Sequence, residues 1–308
     1  MNPAYSVILF TTASGAGYGL LALLGVVGFN HGQASSAAFA ITSMLVALTL
    51  ITIGLLSSTL HLGHPERAWR ALSQWRSSWL SREGVVAIVT YPVALVFGAV
   101  WSGFFSAPLL IAPLGILTAI LCAATVFCTA MIYRSLRTIR QWNHKLVVPV
   151  YLLFALATGA CLLPTIAVWF GRYQIFQAGL AILALVAVAL VKFIYWRSID
   201  AIPRTHTTGD ATGLGKDVRM WELPHTNTNF IQKEMGFVVA RKHAVNLRHL
   251  VLAMLGMAIL TMFAAAFVSP YFAIVAALAS LAGAVVERWL FFAEAKHVVN
   301  LYYGKAAV

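Results

Sequence analysis

Acidic residues are scarce: nine Asp and Glu stand against 21 Lys and Arg in 308 residues, and charged side chains of both signs make up only 10%. A soluble globular domain carries about 25%, so this chain cannot dress a water-facing surface, and a soluble enzyme is excluded. A hydrophobic content of 61% excludes a disordered chain. Cysteine is sparse as well. Cys122, Cys128 and Cys161 lie inside apolar runs with no CxxC pair, which excludes a disulfide scaffold and reads as small packing residues. They offer no ligand set for an iron–sulfur cluster of the chain's own. Period-two alternation is absent, which excludes a membrane β-barrel. None of the nine histidines falls in the middle of an apolar run. A haem at the bilayer centre is thereby disfavoured, leaving a surface haem on His61, His249 or His297 as the remaining haem arrangement.

What is present is eight long apolar runs, at about 5–29, 36–60, 84–105, 108–133, 147–170, 177–195, 247–268 and 270–292. Each is long enough to cross a bilayer as a helix, which takes about 20 residues. The first seven hold two charged residues between them, Lys192 and Arg248, both near a run's end. The predicted fold is therefore all-α: a polytopic membrane protein, an eight-transmembrane-helix bundle forming a single integral domain over 1–308. The opening MNPAYS lacks a basic n-region, so the first run is expected to be retained.

The positive charges segregate. Arg67, Arg70, Arg76 and Arg82 lie in the connection 61–83, and Arg134, Arg137, Arg140 and Lys145 in 134–146. Arg197, Arg204, Lys216, Arg219, Lys233, Arg241, Lys242 and the adjoining Arg248 mark the connection 196–246. Those sixteen belong to one side of the membrane and Arg172 alone to the other. Positive loops stay inside, so both termini are predicted cytoplasmic, in a bacterial inner membrane. The charge of +12 is then a topology signal, and no nucleic-acid partner is implied. Trp101, Trp169, Tyr195 and Trp196 sit near predicted span ends, where interfacial anchors are expected.

Ionisable groups near membrane depth are the candidates for function. His61 and His64 are three apart and share a face if the second helix continues, until Pro65 stops it. They read either as interface and solvated histidines or as ligand contacts. Trp69, Leu72, Trp75 and Trp79, interleaved with Arg70 and Arg76, read as an amphipathic interfacial helix. Glu83 opens the third run with Ser81 as a potential cap; it reads either as a carboxylate placed by the helix dipole or as a proton acceptor. Glu287 and Glu294 are seven apart on one helical face, and Glu287 with Arg288 reads as an ion pair between spans or as part of a binding site. A membrane-dissolved quinone suits such groups, because its reduction needs proton donors at two carbonyl oxygens. The stretch 205–215 (THTTGDATGLG) reads as flexible, and 221–242, with Pro224, His225, Asn227, Asn229 and Phe230, as contact surface for a partner.

The run Thr59-Leu60-His61-Leu62-Gly63 with Pro65, Arg67 and Ala68, followed by Leu80-Ser81-Arg82-Glu83, resembles the DmsC-like anchor subunits of molybdopterin oxidoreductases. Glu287 through Phe291-Phe292 resembles that family's acidic-aromatic eighth span, and Tyr133-Arg134-Ser135-Leu136 a basic-aromatic turn after the fourth. The resemblance implies an anchor that docks an iron–sulfur subunit with 4Fe-4S clusters, itself bound to a molybdopterin catalytic subunit, and that exchanges electrons with ubiquinone or menaquinone. No haem, cluster or metal is expected in this chain. By the same resemblance His61 contacts quinone, Arg67 supports it and Glu83 handles protons, with His64, Glu287 and Arg288 near the same site. Arg82 stands where the family often has Asn, so an adjacent cation is expected to favour the ionised Glu83. The cytoplasmic topology and the long connection 196–246 point to the branch serving membrane-bound sulfite dehydrogenase. The alternatives are a quinol-oxidising anchor of dimethyl sulfoxide reductase or polysulfide reductase type, and, further off, a cytochrome b or a transporter.

Overall fold

The computed structural model describes residues 2–203, 206–215, 218, 220–222, 227, 229–235 and 243–303, apart from the side chains of His61, Phe230 and Ile231. Eight helices long and apolar enough to cross a membrane follow in order: α1 Tyr5–His31, α2 Ala37–Leu60, α3 Trp79–Trp101, α4 Pro108–Arg134, α5 Val147–Trp169, α6 Ile175–Asp200, α7 Ala244–Phe267 and α8 Phe272–Ala293. They alternate in direction, so the three arginine-rich connections emerge at one end of the bundle, here termed the charge-rich end. Polar residues set the boundaries. Ser36 caps α2 and Ser78 caps α3, each accepting a backbone N–H from three residues on. Gln174 and Gln177 form a reciprocal box at the start of α6.

Hydropathy gives no hint of which spans are central. Most of α1 and α5 is buried against other helices, whereas α2, α3, α4, α6 and α7 turn more than half of their length outward. Exposed leucines such as Leu109, Leu183 and Leu260 cover that outer surface, as lipid contact requires. α1 packs on α2, α4 and α5, and α5 packs on α1, α6 and α8. α3 lies on α4, while α7 lies on α6 and α8. The bundle thus has a central pair with α2–α4 on one side and α6–α8 on the other.

Small residues make this centre. A Cβ on Gly19 would fall 1.8 Å from the carbonyl oxygen of Ala155, and one on Gly159 would fall 2.3 Å from the carbonyl carbon of Gly19. Backbone therefore meets backbone where α1 crosses α5. Gly25 and Gly115 repeat the device between α1 and α4, each a Cβ's reach from the other's carbonyl oxygen. Apolar side chains gain little by leaving lipid, so close approach of backbones drives association.

Several expectations from sequence are corrected. α2 tightens to a 3₁₀ turn over Ser58–His61 and leaves the helix at Leu62, whose backbone is extended. His64 therefore lies beyond the helix, and the two histidines share no helical face. The stretch Pro65–Gln74, expected as an amphipathic interfacial helix, is helical but of the tighter 3₁₀ type; Trp69 and Trp75 are exposed, with Arg70 and Arg76 over their rings. Of the four aromatic residues expected as interfacial anchors, only Trp169 is exposed. Trp101 stacks on Phe97 at 5.5 Å, and Tyr195 and Trp196 are buried about Lys192. Within the stretch read as flexible, Thr208–Thr212 forms a short helix with a Thr207–Asp210 capping box, and the Tyr302 hydroxyl donates to the Ala211 carbonyl at 2.9 Å. Pro224, His225 and the side chain of Phe230 lie outside the described residues.

The crossing of α1 and α5 leaves no room for a side chain at Gly19. Gly19→Val is expected to destabilise the bundle by about 3 kcal/mol or more. Gly256→Ala, which meets nothing within 4 Å, is expected to be neutral or stabilising by about 1 kcal/mol or less. Thermal unfolding of the two variants in detergent compares them directly.

Candidate functional site

The ionisable side chains inside the bundle form two groups, one on either flank of the central pair, both toward the charge-rich end. On the first flank stands Glu83. Because Ser78 rather than Ser81 caps α3, Glu83 belongs to the second turn and is carried inside the bundle, 4% exposed. The Ser81 hydroxyl instead donates to the Ala71 carbonyl and ties the preceding segment down. Glu83 receives a hydrogen bond from the hydroxyl of Thr129 on α4. Arg82, next in sequence, points elsewhere. It donates to the carbonyls of Trp75 (3.0 Å) and Arg76 (2.6 Å) and lies over the Trp79 ring at 4.2 Å. The expected influence of that cation on Glu83 therefore has no contact to act through.

On the second flank Glu287 of α8 is fully buried between two cations. One oxygen faces Nζ of Lys192 on α6, and the other lies 2.5 Å from Nη2 of Arg288. Two cations and one carboxylate inside a helix bundle need further partners, and aromatic faces supply them. Lys192 sits 4.2 Å from the Tyr195 ring and 5.1 Å from that of Trp196; Arg288 lies 3.9 Å above Tyr151 of α5. Toward the surface the same side continues in a second cluster. Arg248 of α7 bonds Asp200 at 2.5 and 2.9 Å and Glu294 at 2.7 Å. Burial raises the Glu294 carboxyl above the ordinary carboxylate range against the pull of Arg248 and Lys192.

A cavity joins the two flanks. Its volume is 20 Å³, and its walls come from α1, α4, α5 and α8, with Thr129 on the Glu83 side and Arg288 on the other. That is room for one water. Beside it α1 departs from regular geometry: Phe10–Ser14 is a π-helical turn that presents Thr11, Thr12 and Ser14 to the cavity. Such turns recur at functional sites. At the opposite end of the bundle lies a wider pocket of 250 Å³ that includes His31, Gln33, Arg172 and Gln174. There Arg172 donates to the Ser35 carbonyl at 2.9 Å.

Of the candidates read from sequence, Glu287 and Arg288 are brought together with each other. Glu83 stands across the cavity from them. His64 and Arg67 are exposed and meet at Glu66, 3.0 and 3.7 Å from its carboxylate, in the connection between α2 and α3. The side chain of His61 lies outside the described residues. Sequence reasoning missed Lys192 and Thr129. Lys192 was visible as a lone charge in an apolar run, the usual mark of a buried partner; Thr129 carries no such mark. Tyr133, expected in a turn after the fourth span, lies in the last turn of α4 and meets the aromatic end of α8: its ring packs 5.6 Å from Phe291 and 5.2 Å from Phe292. The Trp142 indole donates to the Phe291 carbonyl at 3.0 Å. Among the described residues no group of three or more His, Cys, Asp or Glu converges as metal ligands would.

A family model described as DMSO reductase anchor subunit (DmsC) matches residues 1–304. The chain is 32% identical, over an alignment of 327 positions covering all of both chains, to the C subunit of the sulfite dehydrogenase of Allochromatium vinosum.

The buried cluster predicts an asymmetry between its members. Glu287→Gln leaves Lys192 and Arg288 facing each other without a counter-charge, a loss of about 3–5 kcal/mol. Lys192→Met leaves a neutral Glu287–Arg288 pair and is expected to cost clearly less. Denaturation midpoints of the two purified variants provide the check.

Proposed function

The chain belongs to the family of DMSO reductase anchor subunits, and from that membership we propose that it is the quinone-reactive anchor of a sulfite dehydrogenase complex. It is an integral membrane subunit of a molybdoenzyme-type complex; the quinone chemistry, its direction and its partners are our reading. An iron–sulfur subunit, bound in turn to a molybdopterin subunit, docks on the charge-rich end. That end faces the cytoplasm of a bacterial cell, with both termini on that side. Two electrons from the partner's clusters and two protons from water convert a membrane quinone to quinol, with His61 as a hydrogen-bonding group and Glu83 as proton donor. Arg67 and His64 stand in the connection leading from α2 and support the entrance to the site, while Glu287 and Arg288 act from across the cavity.

The observation that carries this reading is the environment of Glu83. Of the three buried carboxyl groups described, Glu287 and Glu294 are ion-paired, and Glu83 meets only the hydroxyl of Thr129. A structural carboxylate at that depth would be held by a cation. One satisfied by a hydroxyl can change protonation state without stranding a partner. Thr129 Oγ1 is within reach of the Thr125 carbonyl (3.0 Å) as well as Glu83. It donates to Glu83 when the carboxylate is ionised. When Glu83 is protonated it accepts from Glu83 and donates to Thr125. The resemblance to the Allochromatium vinosum protein supports sulfite as the electron source. The concentration of arginines in the connections at one end supports the cytoplasmic orientation.

Glu83→Gln and His61→Ala are each expected to lower sulfite-driven quinone reduction by about 10²-fold or more, with assembly and sulfite oxidation by an artificial soluble acceptor intact. Wild-type quinone turnover in either variant removes that residue from the site. A reporter enzyme fused after the last residue, active only in the cytoplasm, tests the orientation; an inactive fusion with full-length protein in the membrane would reverse it.

A further inference from the structure

The quinone reading needs a proton at Glu83 for each one it delivers, and α3 and α4 enclose that carboxyl away from water. The polar cavity beside Thr129 offers the way in. We propose that this cavity is a proton site: it seats a water between Thr129 and Arg288 through which Glu83 is reloaded from the charge-rich end. The inference rests on Glu83 as the proton-handling group.

The walls have the chemistry for this. The hydroxyls of Thr12, Ser14 and Thr158 donate to carbonyls of their own helices at 2.8, 2.6 and 2.7 Å. What they turn to the cavity is therefore lone pairs. Donors come from elsewhere in the lining, where the Tyr151 hydroxyl and Nη1 of Arg288 are buried and neither makes a well-formed hydrogen bond to another described group. A water there finds both acceptors and donors, the two to four polar partners that hold a buried water. The π-helical turn of α1 contributes by bringing three hydroxyls to one place.

Transfer balances without consuming water. Glu83 gives its proton to a quinone oxygen. The cavity water then passes a proton through the Thr129 hydroxyl to Glu83, one O–H bond forming as another breaks, and regains one from water at the charge-rich end. Arg288, always charged, orients the water and carries no proton. In the other direction the interior is closed by Leu20, Leu21, Leu24 and Phe97, all fully buried. The route opens to one side of the membrane only, so quinone reduction through it moves no proton across.

Thr158 lines the cavity and does not touch Glu83, so it separates the two ideas. In the assembled complex, with reduced methyl viologen as donor and a short-chain quinone analogue as acceptor, Thr158→Val is expected to lower turnover about tenfold. It should enlarge the solvent deuterium isotope effect and leave KM for the quinone unchanged. Thr158→Ser, which restores the hydroxyl, is expected to recover most of the rate. Thr12→Val, from the facing wall, should behave like Thr158→Val and decides the matter if that variant does not assemble. Wild-type rate and isotope effect in both valine variants, with Glu83→Gln inactive, would overturn the route and leave Glu83 in place. Equal slowing by Thr158→Ser would also overturn it, as a packing effect. Full activity of Glu83→Gln would instead remove the reading on which the route rests.

Discussion

The contact on which this bundle depends is the backbone crossing of α1 and α5 at Gly19, Ala155 and Gly159. In lipid, apolar side chains gain little by leaving one hydrocarbon surface for another, so what draws helices together is close packing and hydrogen bonding. Where two backbones touch, both helices are shielded over most of their length. α1 and α5 become the interior, and the remaining six are arranged around them with one face to lipid. Interior helices are the natural bearers of polar residues, because little of their length faces the hydrocarbon. The hydroxyls of Thr11, Thr12, Ser14 and Thr158 lie on this pair.

That arrangement sorts the buried charges. The α3–α4 flank holds a lone carboxyl satisfied by a hydroxyl, and the α6–α8 flank holds a carboxylate clamped between two cations and ringed by aromatic faces. The two environments suit opposite tasks. A carboxyl with one hydroxyl partner gains or loses a proton at small cost, whereas one paired with two cations keeps its charge and holds its neighbours in register. The polar cavity between them is where the two flanks meet.

The eight spans and their alternation were legible in the sequence, because a stretch of about twenty apolar residues has few alternatives to a transmembrane helix. The boundaries were less so. Glu83 read as a helix-start carboxylate with Ser81 as cap, and became a second-turn residue once Ser78 took the capping position. His61 and His64 read as neighbours on one face, and the 3₁₀ turn at Ser58–His61 separated them. In both cases a shift of a few residues at a helix end, set by local hydrogen bonds rather than hydropathy, changed which side chains are buried. Trp101, Tyr195 and Trp196 failed as interfacial anchors for a different reason. Each had a better partner inside, a phenylalanine face or a lysine, than at the headgroups.

Segment composition alone specifies a membrane bundle of eight helices with most of its positive charge in the connections of one side. Those properties follow from the composition of each segment taken alone, since the bilayer selects on hydropathy and flanking charge. The packing of the helices made α1 and α5 central and joined Lys192 with Glu287 and Arg288. It likewise decided that Glu83 is held by Thr129 rather than by its neighbour Arg82. Within apolar runs every helix face looks alike to hydropathy, and the choice among faces is made by where small residues let backbones touch and where a buried charge finds its counter-charge on another helix.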